Sequence, residues 1–352
     1  MNTARESAQL TTTLGASIRQ GRIEAGSYLP TVRELSEEHG VAHNTAWRVL
    51  KTLERQGLVV AQPRKGYRVV GAGDPVNKPL AYVLSRENFH AGWDLLYRNL
   101  LNAFEQLAIQ QHSYLLQMIM KTGDERMVLD HLKQDSLSGL VVDTPNLELL
   151  AWADRQGIPS VVVDDWCPDL GHDAVVQDNF AGGQLAAQHL LSTGCRRLAW
   201  FGKKLDHYHA HARYGGALPA VAAAGKSFEF HYFLDLNEDG LVQSAMNMLA
   251  RADRPDGVLA LWRPMTNAVA KAARRLGLRM GVDVHVVGWI NEEAVEAGYL
   301  PLFEGGPVAP AVTWRAADMA MVALAALAQR RSEPRRPQVC HLVPVRLRQD
   351  FS

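Results

Sequence analysis

Several side chains that could bind a small molecule stand directly after short apolar runs of the sequence. Asp164 follows the run at 160–163, and the pair Trp262 and Arg263 follows the run at 257–261. Indole faces suit the apolar faces of sugar rings, while carboxylate, amide and guanidinium groups bind hydroxyls or anions. The ligand-binding candidates are Ser85, Phe89, His90, Asp164, His207, Arg213, Trp262, Arg263, Trp289 and Asn291, with Trp93, Asp165, Trp166, Lys203 and His209 beside them.

Metal binding and catalysis are the alternatives for these residues. His207, His209 and His211 alternate, but no carboxylate accompanies them at a fixed spacing. Asp164 and Asp165 could form a catalytic pair, although neighbours on a strand point to opposite faces, so we expect only one to face the ligand. The sequence has no Walker phosphate loop, no nucleophile elbow and no His-Glu-x-x-His. We therefore predict no metal and no cofactor.

The elements that must position these residues alternate from residue 80 onward. Apolar runs lie at 80–84, 114–120, 139–142, 160–163, 197–201, 229–234, 257–261 and 284–288. Helical segments lie near 94–111, 124–134, 146–156, 180–193, 210–224, 238–251, 265–276 and 315–331. This alternation predicts βαβ units and parallel sheets.

About four of these units precede residue 178 and about four follow it. We therefore predict two α/β lobes of similar size, with the chain crossing between them near 177 and again near 290–330. Ligands of open α/β sheets bind beyond the carboxyl ends of the strands. The candidate residues should therefore meet in a cleft between the lobes.

The stretch 29–69 follows a different pattern. Thr31 and Glu34 fit a capping box at a helix start, and Gly40 suits the end of that helix. A second helix is predicted from about residue 43 to 56, and paired strands at 58–61 and 67–70. A helix-turn-helix followed by a two-stranded wing fits the major groove of duplex DNA.

This stretch resembles the winged helix-turn-helix domain of the GntR family of bacterial regulators over residues 7–70. The most specific matches are Leu-Pro-x-x-Arg-Glu-Leu at 29–35, Asn-Thr at 44–45 and Leu-Glu-x-x-Gly-Leu-Val at 53–59. The resemblance implies DNA contacts at Arg33, His43, Asn44, Thr45, Trp47, Arg48, Lys65 and Gly66, and Arg64 at the wing tip should lie with Lys65 by the phosphates. Ala42, His43 and Trp47 depart from the family pattern, so its usual base preferences need not hold. A winged helix used for protein contacts is the alternative.

Asp-Asn-x-x-Gly-Gly at 178–183 and Arg-x-x-Gly at 213–216 resemble motifs of LacI-type regulators, and the similarity extends over about residues 79–348. The resemblance implies the type I periplasmic-binding-protein fold, used as an effector sensor. Two customary acidic ligand contacts are missing, at 261–263 and 288–291. Arg263, Arg213 and Lys203 could instead favour an acidic sugar or a phosphate.

Composition limits the class of protein to which the chain can belong. The 352 residues are 47% hydrophobic and 21% charged, which is typical of a globular protein of two or three domains. The first 70 residues hold ten Lys and Arg against six Asp and Glu, whereas the whole chain holds 37 of each. Cys167, Cys195 and Cys340 are too far apart in sequence to suggest a disulfide framework or a zinc site. The sequence shows no apolar signal region, so we expect a cytoplasmic protein.

Together these patterns predict an α/β protein. Residues 1–70 are expected to form the winged helix-turn-helix, 71–79 a Gly/Pro linker that disfavours a helix, and 80–352 the two-lobed effector-binding domain. The predicted function is an effector-responsive transcriptional regulator, a repressor controlled by a sugar or sugar derivative. Its expected partners are operator DNA, the effector and a second copy of the chain, with no membrane. A solute-binding protein or an enzyme on the same scaffold is the alternative.

Overall fold

The computed structural model describes residues 2–55, 58–62, 65–70, 78–85, 94–111, 113–135, 137–202, 208–232, 237–303 and 306–351. Several predicted features lie outside the described residues. They are Arg64, Phe89, His90, Trp93, Lys203, His207 and residues 71–77 of the linker.

The N-terminal head has the predicted helix-turn-helix and wing. Its elements are α1 (Asn2–Arg19), α2 (Val32–His39), α3 (His43–Arg55), β1 (Val59–Gln62) and β2 (Gly66–Val69), with β1 and β2 antiparallel. Both halves of the capping box form at the start of α2, and the Thr31 amide donates to Glu34 Oε2 over 2.8 Å. Gly40 ends α2 with φ 60°, a conformation that glycine adopts without strain. The core of the head includes Leu35, Ala46, Val49, Leu50 and Leu53, which are fully buried.

Two six-stranded sheets form the rest of the chain. The strands are β3 (Leu80–Ser85), β4 (Leu115–Met120), β5 (Gly139–Val142), β6 (Ser160–Val163), β7 (Asp173–Gln177), β8 (Leu198–Gly202), β9 (Phe228–Tyr232), β10 (Gly257–Ala260), β11 (His285–Asn291), β12 (Ala311–Trp314), β13 (Cys340–Val343) and β14 (Arg346–Arg348). The first lobe has the order β13-β7-β6-β5-β3-β4 and the second β14-β12-β11-β10-β8-β9. Neighbouring strands run parallel except for β12 and β14. The predicted fold class is confirmed.

Helices cover these sheets. They are α4 (Asp94–Gln110), α5 (Glu125–Leu132), α6 (Leu147–Arg155), α7 (Asn179–Ser192), α8 (Tyr208–Ala223), α9 (Glu238–Leu249), α10 (Arg263–Arg275) and α11 (Ala316–Ser332). Residues 292–303, which follow β11, form short irregular helical turns. Among the residues that the structure describes, no helix is long and apolar enough to cross a membrane.

The chain crosses between the lobes three times, between β7 and α7, between β12 and α11, and between β13 and β14. The first crossing is at residue 178 and the second at residue 315. The third, at residues 344–345, was not predicted, and neither were β7, β12, β13 and β14. Gln177 and Trp314, at the ends of β7 and β12, therefore sit in the hinge between the lobes.

Helices α7 and α8 pack closely at two glycines, one on each helix, and each glycine contacts the backbone of the other helix. A Cβ on Gly183 would overlap with the carbonyl oxygen of Arg213, and a Cβ on Gly216 would overlap with that of Phe180. A Cβ on Gly182 would overlap with the indole of Trp289. The glycines of both sequence motifs thus let the two helices, and an indole of β11, approach more closely than any other residue would allow.

Candidate functional site

A cavity lies between the lobes at the carboxyl ends of the strands. It encloses about 460 Å³ of empty space, including the part that opens to solvent. Its walls consist of Leu95, Leu96, Asp164, Gln177, His209, Arg213, Trp262, Arg263, Trp289, Ile290, Asn291 and Trp314. Both lobes and two of the crossings contribute to these walls, so a molecule bound here would contact both lobes.

Arg213 is the buried cation of the cavity, with 1% of its surface exposed. Its Nε donates to Asn179 Oδ1 over 2.8 Å, a terminal nitrogen donates to the Leu261 carbonyl, and the other lies 3.4 Å from Gln177 Oε1. The guanidinium stacks on the Trp289 indole, 3.5 Å from the ring centroid. Burial lowers the pKa of Arg213 to about 9, although the nearby Asp164 opposes that change.

Asp164 connects the lobes from the end of β6. Its carboxylate accepts a hydrogen bond from Gln177 Nε2 on Oδ1 and one of 3.4 Å from the Tyr97 hydroxyl on Oδ2. His209 Nε2, on α8 of the other lobe, lies 3.4 Å from Oδ1. Burial raises the pKa of the Asp164 carboxyl to about 7, against the opposing effects of Gln177 and Arg213. The backbone of Asp164 has φ 62°, which an aspartate tolerates better than most residues.

Three buried tryptophans form the apolar part of the walls, namely Trp262, Trp289 and Trp314. The Trp262 ring contacts His209 edge to face, with the centroids 6.4 Å apart. The indole nitrogen of Trp289 is buried and, within the described part of the chain, has no hydrogen-bond acceptor. A buried donor without an acceptor is costly, which marks this position as one where a ligand could supply the acceptor.

Asn291 occupies a position where LacI-type regulators, which this part of the sequence resembles, usually have a carboxylate. Its Nδ2 donates to Glu293 Oε2 over 3.2 Å. Glu293 in turn accepts the backbone amides of Ala316 and Ala317, at 3.0 and 3.2 Å. The nearby acid therefore caps the start of α11 and helps to fix the second crossing.

The structure brings together seven of the residues singled out from the sequence, which are Asp164, His209, Arg213, Trp262, Arg263, Trp289 and Asn291. Ser85 is buried, and its amide donates to Asp143 Oδ1, but it does not line the cavity. Asp165 accepts the amide of Trp166, and neither residue lines the cavity. His209 is buried while His211 is exposed on the same helix, so these two do not face a common metal position.

Sequence reasoning missed five residues of the cavity wall, namely Leu95, Leu96, Gln177, Ile290 and Trp314. Gln177 and Trp314 end β7 and β12, two of the four strands that the sequence pattern did not reveal. Both residues lie next to a crossing between the lobes, and that position is the feature by which they could have been identified. Asn179, the second residue of the Asp-Asn motif, orients Arg213 from behind the wall.

The head presents most of the predicted DNA-contacting residues on one exposed surface. His43, Asn44, Trp47 and Arg48 are exposed along α3, and 48% of the Trp47 surface is accessible. Lys65 is exposed at the wing beside Gly66, whose φ is 99°. Arg33 is exposed and pairs with Glu37 at 2.9 Å.

Thr45 departs from the predicted surface. Only 5% of it is exposed. It lies on the face of α3 that packs into the head, next to Ala46, so its side chain does not join the exposed set. The helical period explains this, because Thr45, Val49 and Thr52 fall on neighbouring turns while Asn44 and Arg48 point to the other side.

A winged helix-turn-helix followed by two α/β lobes with a cavity between them defines a ligand-responsive DNA-binding regulator. Residues 6–69 match the sequence model of the bacterial regulatory proteins of the gntR family. The chain belongs to the family described as periplasmic binding proteins and sugar binding domain of LacI family, whose model matches residues 83–260. Residues 187–349 also match the periplasmic binding protein-like domain.

Known relatives agree with this assignment. The HTH-type transcriptional repressor PurR of Erwinia tasmaniensis is 26% identical over 291 residues, 78% of this chain and 81% of the relative. A LacI family transcriptional regulator from Enterococcus faecium with bound ribose is 20% identical, covers 78% of this chain and 98% of that one, and has a TM-score of 0.63. The lac repressor dimer bound to operator and the anti-inducer ONPF is 19% identical, covers 78% and 93%, and has a TM-score of 0.62. These two structural likenesses concern the fold.

Proposed function

We propose that this protein is a transcriptional repressor that binds operator DNA as a homodimer and is controlled by a sugar or sugar derivative in the cavity between the lobes. Two heads reading two half-sites would give the operator two-fold symmetry. The names of the relatives support a repressor, and the ribose and operator in two of the similar structures support the classes of partner.

One observation carries the proposal, namely that the cavity wall is continuous across the two lobes and their hinge. Asp164 comes from the first lobe, Gln177 from a crossing, and His209 and Arg213 from the second lobe, and all four are linked by polar contacts of 3.4 Å or less. Since a ligand inserted into this network would contact both lobes, we expect its affinity to depend on how the lobes are arranged. That difference in affinity is what allows a ligand to shift the equilibrium of a regulator.

We infer a regulatory rather than a catalytic role for the cavity. Asp164, the carboxylate in its wall, already accepts hydrogen bonds on both oxygens. The exposed surface of α3 and the wing supplies a second, separate site, which neither a solute-binding protein nor an enzyme would need.

The DNA-binding part of the proposal can be tested at the wing. We expect Lys65→Ala to reduce the slope of log K against log salt by about one, because each phosphate contact releases about one counterion. The measurement is a fluorescence anisotropy titration of the full chain with a duplex selected from a random pool, repeated at several salt concentrations. Lys121→Ala, an exposed lysine at the end of β4, serves as the control and should leave the slope unchanged. Equal slopes for wild type and Lys65→Ala would remove the wing from the DNA interface.

A further inference from the structure

Trp47 is a large apolar side chain on the exposed face of α3. It lies in the first two turns of that helix, and 48% of its surface is accessible. Among the described residues of the head, Tyr28 has a similar exposure, but it precedes α2 and forms a β-bridge with Arg68 of the wing. An indole gains free energy when its ring is removed from water, so an exposed indole on this face favours a binding partner.

The neighbours of Trp47 on the helix surface are polar, so the indole does not belong to a larger apolar patch. His43 and Asn44 lie one turn before it and are exposed. Lys51 lies one turn after it and pairs with Glu54 at 2.7 Å. Surfaces that bind another protein usually expose a contiguous apolar patch, whereas surfaces that bind DNA are polar and positively charged. These surroundings therefore favour DNA as the partner of the indole.

Exposed basic side chains on α2, α3 and the wing can bind the backbone of the same duplex. They are Arg33, Arg48 and Lys65. Contacts to phosphates fix the position of a helix in the groove but carry no information about sequence. Because the N-terminal part of a recognition helix lies closest to the base edges, Trp47 is placed to contact a base while the cations contact phosphates.

The chemistry of the indole matches the edge of one base. In the major groove thymine presents a methyl group beside the acceptor O4, whereas guanine presents two acceptors, adenine an acceptor and a donor, and cytosine a donor. An indole has an apolar ring and one N–H donor, and it has no acceptor. Thymine is therefore the base that offers an apolar group for the ring together with an acceptor for the N–H.

We propose that Trp47 reads a thymine in each half-site of the operator through contact of its ring with the 5-methyl group. This inference rests on the proposed function and names a base that the head selects.

Removal of the methyl group alone tests the proposal. A duplex that the full chain selects from a random pool is synthesised again with deoxyuridine in place of one thymine at a time, and fluorescence anisotropy measures the affinity. Deoxyuridine keeps the hydrogen-bonding groups of thymine and lacks its methyl group. At one position of the half-site the replacement should weaken binding about fourfold, as expected for one buried methyl group, and about fifteenfold when both half-sites carry it. Unchanged affinity at every thymine, or an operator without thymine, would overturn the inference.

Matched variants show whether Trp47 is the residue that senses the methyl group. Trp47→Ala should bind the thymine and deoxyuridine duplexes with affinities that agree within about twofold, both weaker than those of the wild type for the thymine duplex. Arg48→Ala is the control, because Arg48 is the next exposed residue of α3. It should bind both duplexes more weakly and keep the preference for the methyl group. Melting temperatures confirm that each variant is folded, and a preference for thymine that persists in folded Trp47→Ala contradicts the inference.

A contact between Trp47 and a second copy of the chain would give a different result. Trp47→Ala should then change the molecular mass measured by light scattering, and the preference for the methyl group should persist in the variant. That result would overturn the inference as well.

The same samples separate this inference from the proposed function. If a ligand changes the affinity for a selected operator but deoxyuridine has no effect, the regulator stands and the thymine inference fails. If Trp47 senses the methyl group but no ligand changes DNA affinity, the thymine inference stands and ligand control of DNA binding fails. If the chain selects no sequence from the pool, both fail.

Discussion

Replacing Gly216 by alanine should destabilise the sensor by about 3 kcal/mol or more, a cost at the upper end of those seen for overpacked cores. The new Cβ would overlap with the backbone carbonyl of Phe180 on α7. Backbone cannot rotate away as a flexible side chain can, so the two helices must separate. Since α8 carries both His209 and Arg213, this separation should also weaken ligand binding. Thermal and urea unfolding of the full chain measure the first effect.

The neighbouring glycine provides a matched control for this prediction. A Cβ on Gly215 would lie 3.8 Å from the Phe180 ring, an ordinary contact. Alanine is about 1 kcal/mol more favourable than glycine within a helix, so Gly215→Ala should be neutral or stabilising. Similar unfolding free energies for the two variants would show that α7 and α8 are not packed through their backbones.

The second large effect is expected at Arg213. Arg213→Met keeps a long side chain but removes the guanidinium, and we expect a loss of about 3 kcal/mol or more, because leaving each buried acceptor unsatisfied costs about 1–3 kcal/mol. Asn179 Oδ1, the Leu261 carbonyl oxygen and Gln177 Oε1 would each lose the hydrogen bond that they accept from Arg213. Arg279→Met removes an exposed arginine paired with Asp283 and should leave the melting temperature nearly unchanged.

The pH dependence of Arg213→Met should identify Asp164 as the affected partner. In the wild type, burial raises the pKa of Asp164 to about 7, well above the ordinary value of an aspartate. A folded-state pKa above the unfolded value means that this group's contribution to stability falls as pH rises from about 4 to 7 and is then constant. Because Arg213 lowers the pKa of Asp164, its removal should raise that pKa further. The free energy of unfolding of the variant should therefore continue to fall between pH 7 and 8.5, where the Asp164 contribution in the wild type is constant.

Unfolding experiments at several pH values check this prediction. Parallel pH profiles for wild type and Arg213→Met above pH 7 would mean that the guanidinium does not act on Asp164. A loss of stability that is large at every pH but has no added slope would assign the effect to the uncharged acceptors alone.

The elements with a strong repeating pattern were predictable from sequence. Apolar runs such as 139–142 and 160–163 became β5 and β6 with the predicted bounds, and the capping box at Thr31 formed as the residues suggested. Local chemistry sets these features. The strands β7, β12, β13 and β14 were missed because no α-helix separates β6 from β7 or β13 from β14. Their pairing also depends on segments that are distant in sequence.

The cavity was predictable where a strand end was recognised and unpredictable elsewhere. Trp262, Arg263 and Trp289 follow or end recognised strands, and each lines the cavity. Gln177 and Trp314 line it because the chain changes lobes beside them, which only the sheet topology reveals. Thr45 shows the reverse case, since the family motif includes it but the turn of α3 directs it into the head.

We propose that a ligand in the cavity controls DNA binding by the head. The most direct measurement is the affinity of the full chain for a duplex selected from a random pool, with and without a saturating ligand found in a thermal-shift screen of sugars, sugar acids and sugar phosphates. We expect the ligand to change DNA affinity about fivefold or more, the lower end of typical allosteric coupling. Trp262→Ala should bind the ligand weakly yet bind DNA normally in its absence. A saturated cavity with no change in DNA affinity would contradict the account.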